Sequence, residues 1–595
     1  MKKSFFFFIL FLTLTTAANA FESIHEIELK KYKSITPPLI YGIPSKKLLS
    51  ETALHKPLTD NLVFGYLTYW SNSTEHLKYG LLTDLLYFSC ELSDNGNLGN
   101  CHGWPNSAPI DEAHRYGVRV HLVITGFDGA VVQSLMESTS QKNIFFENCW
   151  NKVNNAKADG INIDFEAFGS VKKADLISFF NDLGEYFHSR NHEMAVSAAL
   201  PAVDWSDRWD IASMDGLDYA FLMLYDYHWK SGDPGPVAPL ISKSPWAENG
   251  ICVEKSLNTY ISKNGDKVKD KLIAGYPYYG IKWKTANDKF PATKIENGVA
   301  VLFDSIMSGY LTKSGGWDDG SETPYKIWKE GSQWYQLWYD DQKSIDAKYL
   351  HTKQLNIAGV GMWALNYDTK TDELWETIAK NFVKEKAGSF ENPVKINSFP
   401  FEHSDNTYRF TSNTRSSYDC IQNISDTTTI DMSGPEIVFQ FETDCSGTLV
   451  AEITEGYGEK SQRENIDIHL LAGEKGETCV FRNDALIKVE LEKGVYYIVA
   501  DSRIENGITK GGPFSISVNF LCDEQELEND DDLQGDDEAA DKEETYSDEE
   551  SFEHESSDAD SEEKDEFVKE ELPDDDLESE VESSTKKGGC SVNAL

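Results

Sequence analysis

Basic residues are scarce in this chain. Its 595 residues hold 55 Lys and Arg against 100 Asp and Glu, a formal net charge of −45. A body this acidic repels polyanions, which argues against nucleic acid and anionic membrane surfaces as partners and leaves an uncharged polymer acceptable. Long apolar runs are also lacking. After the first twenty residues no stretch approaches the ~20 consecutive apolar residues of a spanning helix, so no membrane span is expected. Cysteines number nine, none in a CxxC spacing, and neither a metal nor a cofactor is expected. The deficit of positive charge is uneven. From Asp523 to the end there are 32 acids and five bases, a Glu/Asp/Ser tract with few aromatics that reads as a solvated, disordered tail over 523–595.

The chain opens MKKSFFFFILFLTLTTAANA. Lys2 and Lys3, an apolar core from Phe5 to Leu14 and the small-residue site Ala18-Asn19-Ala20 make residues 1–20 a bacterial-style secretory signal. A membrane anchor is the alternative, and the apolar core is short for it. The protein is therefore expected to be secreted or on the cell surface, and to be a monomer. Cys90, Cys101, Cys149 and Cys252 fall in the first large segment; Cys420, Cys445, Cys479 and Cys522 fall in the second; Cys590 is left over. Even counts in an exported chain suggest disulfides within each segment, with Cys90–Cys101 the local pair.

Residues 21–60 read as a leader broken at Pro37-Pro38. From 61 to 390, eight short apolar strands alternate with amphipathic stretches. One of these stretches carries Leu176, Phe179, Phe180, Leu183 and Phe187 at helical spacing. Eight βα units predict an α/β fold, a (β/α)8 TIM barrel. The longest interval leaves room for an α+β subdomain inserted between strands seven and eight, at about 284–345. Residues 391–522 change to short alternating runs broken by Gly, Pro, Asn and Asp, an all-β sandwich.

The stretch Asp159–Phe168, DGINIDFEAF, puts acids into a buried strand. Ile161, Ile163 and Phe165 alternate with Asn162, Asp164 and Glu166. Successive side chains of a strand point to opposite faces, so an amide and two carboxyls share one face. Buried carboxyls are costly unless something pairs or uses them. Barrel enzymes place their chemistry at the C-terminal strand ends, where Glu166, Asp226 and Trp363 fall.

DGINIDFE resembles the DGxDxDxE signature of glycoside hydrolase family 18, the chitinases and their relatives. FLMLYDYHW (221–229), GPVAPL (235–240), GYPYYGIKW (275–283) and residues 338–368 extend the resemblance, in order, over about 62–380. The resemblance implies a retaining, substrate-assisted mechanism in which the substrate's own acetamide is the nucleophile. By position, Glu166 is then the general acid and later the base. Asp164 orients the acetamide N–H and stabilises the oxazolinium, and Tyr225 holds the acetamide oxygen. Asp226 and Met223 shape the sugar pocket, Trp363 forms its floor, Tyr66 contributes to it, and Asp159 is structural. Asn162 stands where the family has an aspartate; on the strand it is expected to hydrogen-bond Asp164. ITGFDG (124–129) departs from the family's third-strand pattern. Trp104, Trp283, Trp317 and Trp334 are candidates for lining a cleft, and His121 and His228 read as structural. The second segment resembles, more loosely, the bacterial pre-peptidase C-terminal domain, through GPEIVFQFET, CVFRND and GVYYIVADS.

Three functions are compatible with these residues. The first is a secreted, endo-acting chitinase cleaving β-1,4-linked N-acetylglucosamine polymers. The second keeps the chemistry and changes the substrate to peptidoglycan or another cell-wall glycan. The third is a non-catalytic chitin-binding, lectin-like protein. The presence of Glu166 argues against the third.

Overall fold

The computed structural model describes residues 22–37 and 58–523, except 72, 75, 106, 249, 384–386, 410–414, 421, 424–430, 457–463 and 506–507. The stretch 1–20 read as a secretory signal, nearly all of the acidic tail and Cys590 lie outside the described residues.

Eight parallel strands close a barrel: Leu62–Thr68, Asp84–Glu91, Arg119–Gly126, Gly160–Phe165, Ala195–Pro201, Tyr219–Met223, Leu272–Pro277 and Gly359–Trp363. The eighth strand pairs with both the seventh and the first, Gly361 facing Gly275 on one side and Phe64 on the other. The fourth strand shows why the alternation in the sequence matters. All six of its residues are buried, because a barrel strand has helices on one face and the barrel interior on the other. Phe165 packs toward Phe145 and Phe179 of the covering helices. Asn162 points inward, to Tyr66 of the first strand and Ser197 of the fifth. The helix Lys173–His188 buries Leu176, Phe179, Phe180, Leu183 and Phe187. Inside the barrel the ring of Phe221 lies across the seventh and eighth strands; a Cβ at Gly275 would stand 2.2 Å from it, so glycine is what lets that ring lie there.

Between strands seven and eight, Gly315–Asp318, Thr323–Glu330, Gln333–Trp338, Tyr279–Thr285 and Val299–Leu302 pair in that order as an antiparallel sheet, with the helix Phe303–Gly309 against it. After the barrel, a six-stranded and a four-stranded sheet share an apolar core of Ile437, Phe439, Ile468, Ile498, Leu449 and Val518. The sandwich touches the barrel through Glu464. Its buried carboxylate accepts from Arg115 at 2.8 Å and from the Tyr116 hydroxyl.

Disulfides join Cys90 to Cys101, Cys420 to Cys479 and Cys445 to Cys522. Cys149 and Cys252 are buried and free, which corrects the expectation from even counts. Cys149 lies on the helix after the third strand and Cys252 precedes the helix after the sixth, so three strands separate their places around the barrel. No helix among the described residues is long and apolar enough to cross a membrane.

The described part of the segment read as a leader carries a helix. Residues Ile24–Tyr32 form a helix capped by Ser23, whose side chain accepts from the Glu26 amide. Ser-x-x-Glu is the spacing of a capping box. Lys30 pairs with Glu26 one turn back, and Lys30 and Lys31 place positive charge in the last turn, which suits the helix dipole.

Candidate active site

The fourth strand ends at Phe165, and Glu166 is the next residue. Asp164 projects inward two positions earlier. The sixth strand ends at Met223, placing Tyr225 and Asp226 beyond the barrel mouth. Asp226 has φ 56°, a left-handed conformation that costs a non-glycine residue energy and is found where a side chain must be aimed. Its carboxylate accepts from Tyr279 at 2.6 Å. Trp363 closes the eighth strand and is fully buried.

These groups converge on one side chain, His25 of the N-terminal helix. Its Nδ1 lies 2.9 Å from Asp164 Oδ2 and its Nε2 lies 2.8 Å from the Tyr225 hydroxyl. Its ring stacks on Trp363, with centroids 3.6 Å apart and planes 24° from parallel. Ser23 Oγ donates to Glu166 at 2.9 Å, and the Ile24 amide donates to Asp226 at 3.2 Å. One turn on, Glu28 accepts from Trp363 Nε1 at 3.1 Å and from the Tyr367 hydroxyl at 2.6 Å.

Burial sets the charge state of this cluster. Removal from water disfavours the ionised form of each group. Burial pushes Asp164 up to about 8. Burial, and then the nearby Asp164 charge, push Glu166 up to about 8. Burial raises Asp226 to about 6 against the hydrogen bonds from Tyr279 and Ile24. It raises Glu28 to about 7 against those from Tyr367 and Trp363, and holds His25 down at about 4 despite the nearby acids. The contact between His25 and Asp164 is therefore a hydrogen bond more than an ion pair. Glu166 keeps its proton at neutral pH, as a general acid must; its side chain retains 11% exposure.

Tyr66 donates to Asn162 Oδ1 at 2.9 Å, and Asn162 Nδ2 donates to Ser197 Oγ at 2.9 Å. The expected hydrogen bond from Asn162 to Asp164 is thus not made: both ends of the amide are taken by neighbouring strands. Asp164 Oδ1 is buried with no hydrogen-bond partner among the described residues. Met223 is buried at the end of its strand. Asp159 lies away from the cluster, accepting from the Val120 amide and bonding His114, both at 2.7 Å. His121 bonds Asp84 inside the barrel, and His228 Nδ1 donates to the Asp233 carbonyl.

Of the four tryptophans considered for the cleft, Trp104 is buried and donates to the Lys152 carbonyl, and Trp283 is fully buried in the inserted subdomain. Trp317 lies under the Lys343 ammonium and Trp334 near that of Lys329. The most exposed large apolar side chain of the active face is Trp205, just beyond the fifth strand, at 81% exposure. His25 Nδ1, Asp164 and Glu166 lie close enough together to hold a cation, yet each already has a hydrogen-bond partner. Sequence reasoning missed Ser23, His25 and Glu28; the capping-box spacing was the signal available.

The sequence model of the glycosyl hydrolases family 18 matches residues 62–368. The chain belongs to glycosyl hydrolase family 18. Among its relatives, the uncharacterized glycosylase YvbX of Bacillus subtilis (strain 168) is 26% identical over 266 residues, 43% of this chain and 71% of that protein. The di-N-acetylchitobiase of Homo sapiens is 24% identical over 273 residues, 39% of this chain and 67% of that protein. Among solved structures, catalytic domain 2 of the Ostrinia furnacalis group II chitinase is 21% identical with a TM-score of 0.49, covering 55% of this chain and 97% of that one. The family 18 match spans the barrel with its insertion and stops before the sandwich.

Proposed function

We propose that this protein is an exported, retaining endo-glycosidase that cleaves β-1,4-linked N-acetylglucosamine polymers, chitin foremost, by substrate-assisted catalysis. The observation that carries this reading is the convergence of Asp164, Tyr225 and Trp363 on one ring-sized position beside the protonated Glu166. In the proposed reaction, Glu166 gives its proton to the glycosidic oxygen as the bond to C1 breaks. The substrate's acetamide oxygen bonds to C1 from the opposite face and forms an oxazolinium ion. Asp164 accepts the acetamide N–H and, in its ionised form, stabilises the positive charge, and the Tyr225 hydroxyl donates to the acetamide oxygen. Water then attacks C1 as the oxazolinium C1–O bond breaks and the acetamide is restored, Glu166 takes the water's proton, and configuration is retained. Trp363 offers an indole face to the apolar face of the sugar.

The three disulfides support an oxidising compartment, and the C-terminal sandwich fits an accessory module of the pre-peptidase C-terminal kind. Asn162 favours a second reading, cell-wall glycan as substrate, because of its resemblance to family members acting on that polymer. The test compares products released from colloidal chitin and from purified sacculi, by the full chain and by its Glu166→Gln variant. The proposal expects chitooligosaccharides from chitin, and turnover reduced ~10²–10⁴-fold in the variant, the usual worth of general acid catalysis. Equal turnover by the two proteins overturns the assignment of Glu166.

A further inference from the structure

The N-terminal helix fills the cleft that the proposed reaction needs. Ser23, Ile24, His25, Glu28 and Leu29 are all buried against it, and five side chains of the site are engaged at once: Glu166, Asp226, Asp164, Tyr225 and Trp363. The contacts reproduce a substrate's chemistry. In an acetamide, one carbon separates an N–H donor from an oxygen acceptor. In a neutral imidazole, one carbon separates an N–H donor from a nitrogen acceptor. With the proton on Nδ1, His25 donates to Asp164 and accepts from the Tyr225 hydroxyl, the pair of bonds assigned above to the substrate's acetamide. Its ring lies on Trp363 where a sugar ring would lie. The serine that caps the helix donates to the carboxyl that would protonate the leaving oxygen, while the positive end of the helix dipole points into a pocket of acids.

We propose that residues 22–33 are a built-in inhibitor of this enzyme, with His25 standing in for the N-acetyl group of the substrate, so that polymer enters only after the segment leaves. This inference rests on the glycosidase reading for its effect on turnover, but not for its effect on binding. A tethered segment acts at the high effective concentration of an intramolecular ligand. It therefore needs only modest intrinsic affinity to keep the cleft closed, and it hides the catalytic acids until it is displaced.

The experiment uses the full chain and two variants that open the cleft. His25→Ala removes both mimicking bonds and the stacked ring. Glu28→Lys puts an ammonium where Trp363 and Tyr367 both donate. Two readouts are taken: turnover of a soluble fluorogenic chitooligosaccharide, and binding of a fluorescent peptide of residues 22–33 to each variant, with melting curves as a check on folding. The expected result is turnover raised about tenfold or more in both variants, from the loss of two hydrogen bonds and a ring contact in His25→Ala, and of two hydrogen bonds in Glu28→Lys, where an ammonium faces two donors. The peptide should bind the opened chains and inhibit them, unlabelled chitotriose should displace it, and the same peptide carrying His25→Ala should not bind. Peptide binding does not depend on catalysis. If no protein turns over substrate while the peptide still binds and chitotriose displaces it, the glycosidase reading fails and the built-in ligand stands. Failure of the native-sequence peptide to bind either opened chain, or a measurable wild-type turnover equal to that of both folded variants, overturns the proposal.

Discussion

His25 and Trp363 lie face to face, 3.6 Å between centroids, although 338 positions separate them in the chain. The contact exists because the N-terminal helix enters the barrel mouth from outside the repeating βα pattern. It makes the state of the cleft depend on the protonation of groups from two sources, the helix and the strand ends.

The first prediction concerns pH. The Glu28 carboxyl faces Tyr367, Trp363, Lys31 and Asp226, and is held at about 7 in place of 4.5. Docking of the helix therefore takes up a proton there; this contribution is full below about 4.5 and is lost as pH rises through about 7. His25 faces Glu166, Asp226, Asp164 and Tyr225 and is lowered from 6.5 to about 4. Its contribution is full above 6.5 and is lost as pH falls through about 4. Between 4.5 and 6.5 the two trends offset each other. Above 6.5 the Glu28 carboxyl is the group of the helix whose charge still changes. Affinity of the 22–33 peptide for the Glu28→Lys chain should fall by about fourfold between pH 6.5 and 8.5, because a carboxyl moved from 4.5 to about 7 on docking loses most of its bound proton across that range. A flat affinity across that range would contradict the assignment of proton uptake to docking.

The second prediction separates the cleft's two occupants. A thiazoline mimic of the cyclised acetamide makes the contacts that the reaction path makes, and such analogues bind far more tightly than substrates. It should inhibit the His25→Ala chain strongly and the wild-type chain less, because in the wild type it must first displace His25. Inhibition constants from steady-state kinetics on both proteins check this. A mimic no better than free N-acetylglucosamine on the opened chain would rule out the acetamide as nucleophile.

The third concerns the joint between barrel and sandwich. Glu464 is buried and receives Arg115 and Tyr116 from the barrel. Replacing it with Ala leaves a mostly buried guanidinium without this partner, a change that costs about 3–5 kcal/mol when burial is complete. Arg115 retains 20% exposure, and solvent screening reduces the loss to about 1–3 kcal/mol. The melting temperature should fall by several degrees, while kcat/KM on soluble oligosaccharide changes little, the joint being remote from Glu166. Differential scanning calorimetry and kinetics on one preparation measure both.

The barrel was legible because its signals are local and repeated: apolar strands of the right length, helical spacing in Leu176–Phe187, and acids at strand ends. The position of Asp164 beside Glu166 follows from strand periodicity alone. The fate of Asn162 was not legible, since strand periodicity places it on a face but does not say which neighbours compete for its amide; Tyr66 and Ser197 reach it from adjacent strands. The free Cys149 and Cys252 were hidden for the same reason, as parity carries no distance. The helix Ile24–Tyr32 had its cap and its ion pair written locally, in Ser23, Glu26 and Lys30. Its docking depends on groups 139 to 339 positions away, which no local pattern encodes.

The fourth prediction concerns Asn162 itself. Its Oδ1 accepts from Tyr66 and its Nδ2 donates to Ser197. Asn162→Asp keeps the acceptor for Tyr66 and loses the donor to Ser197. It also adds a second carboxyl to the face that carries Asp164, whose Oδ1 has no hydrogen-bond partner among the described residues. Two buried acids close together do not both ionise readily, so one holds its proton to higher pH and the pair titrates in coupled steps. The variant should keep activity, because Glu166 and the acetamide contacts are untouched, and should gain a coupled step on the acidic limb of its pH–rate profile. The alkaline limb, which reports Glu166 as the acid, should move less. Because the docked helix would add its own pH dependence, the comparison belongs in the His25→Ala background, with kcat/KM against pH on a soluble chitooligosaccharide for chains with Asn and with Asp at 162. Superimposable profiles would mean that the bonds to Tyr66 and Ser197 isolate position 162 from Asp164, and that the acidic limb is set by Asp164 and Asp226 alone.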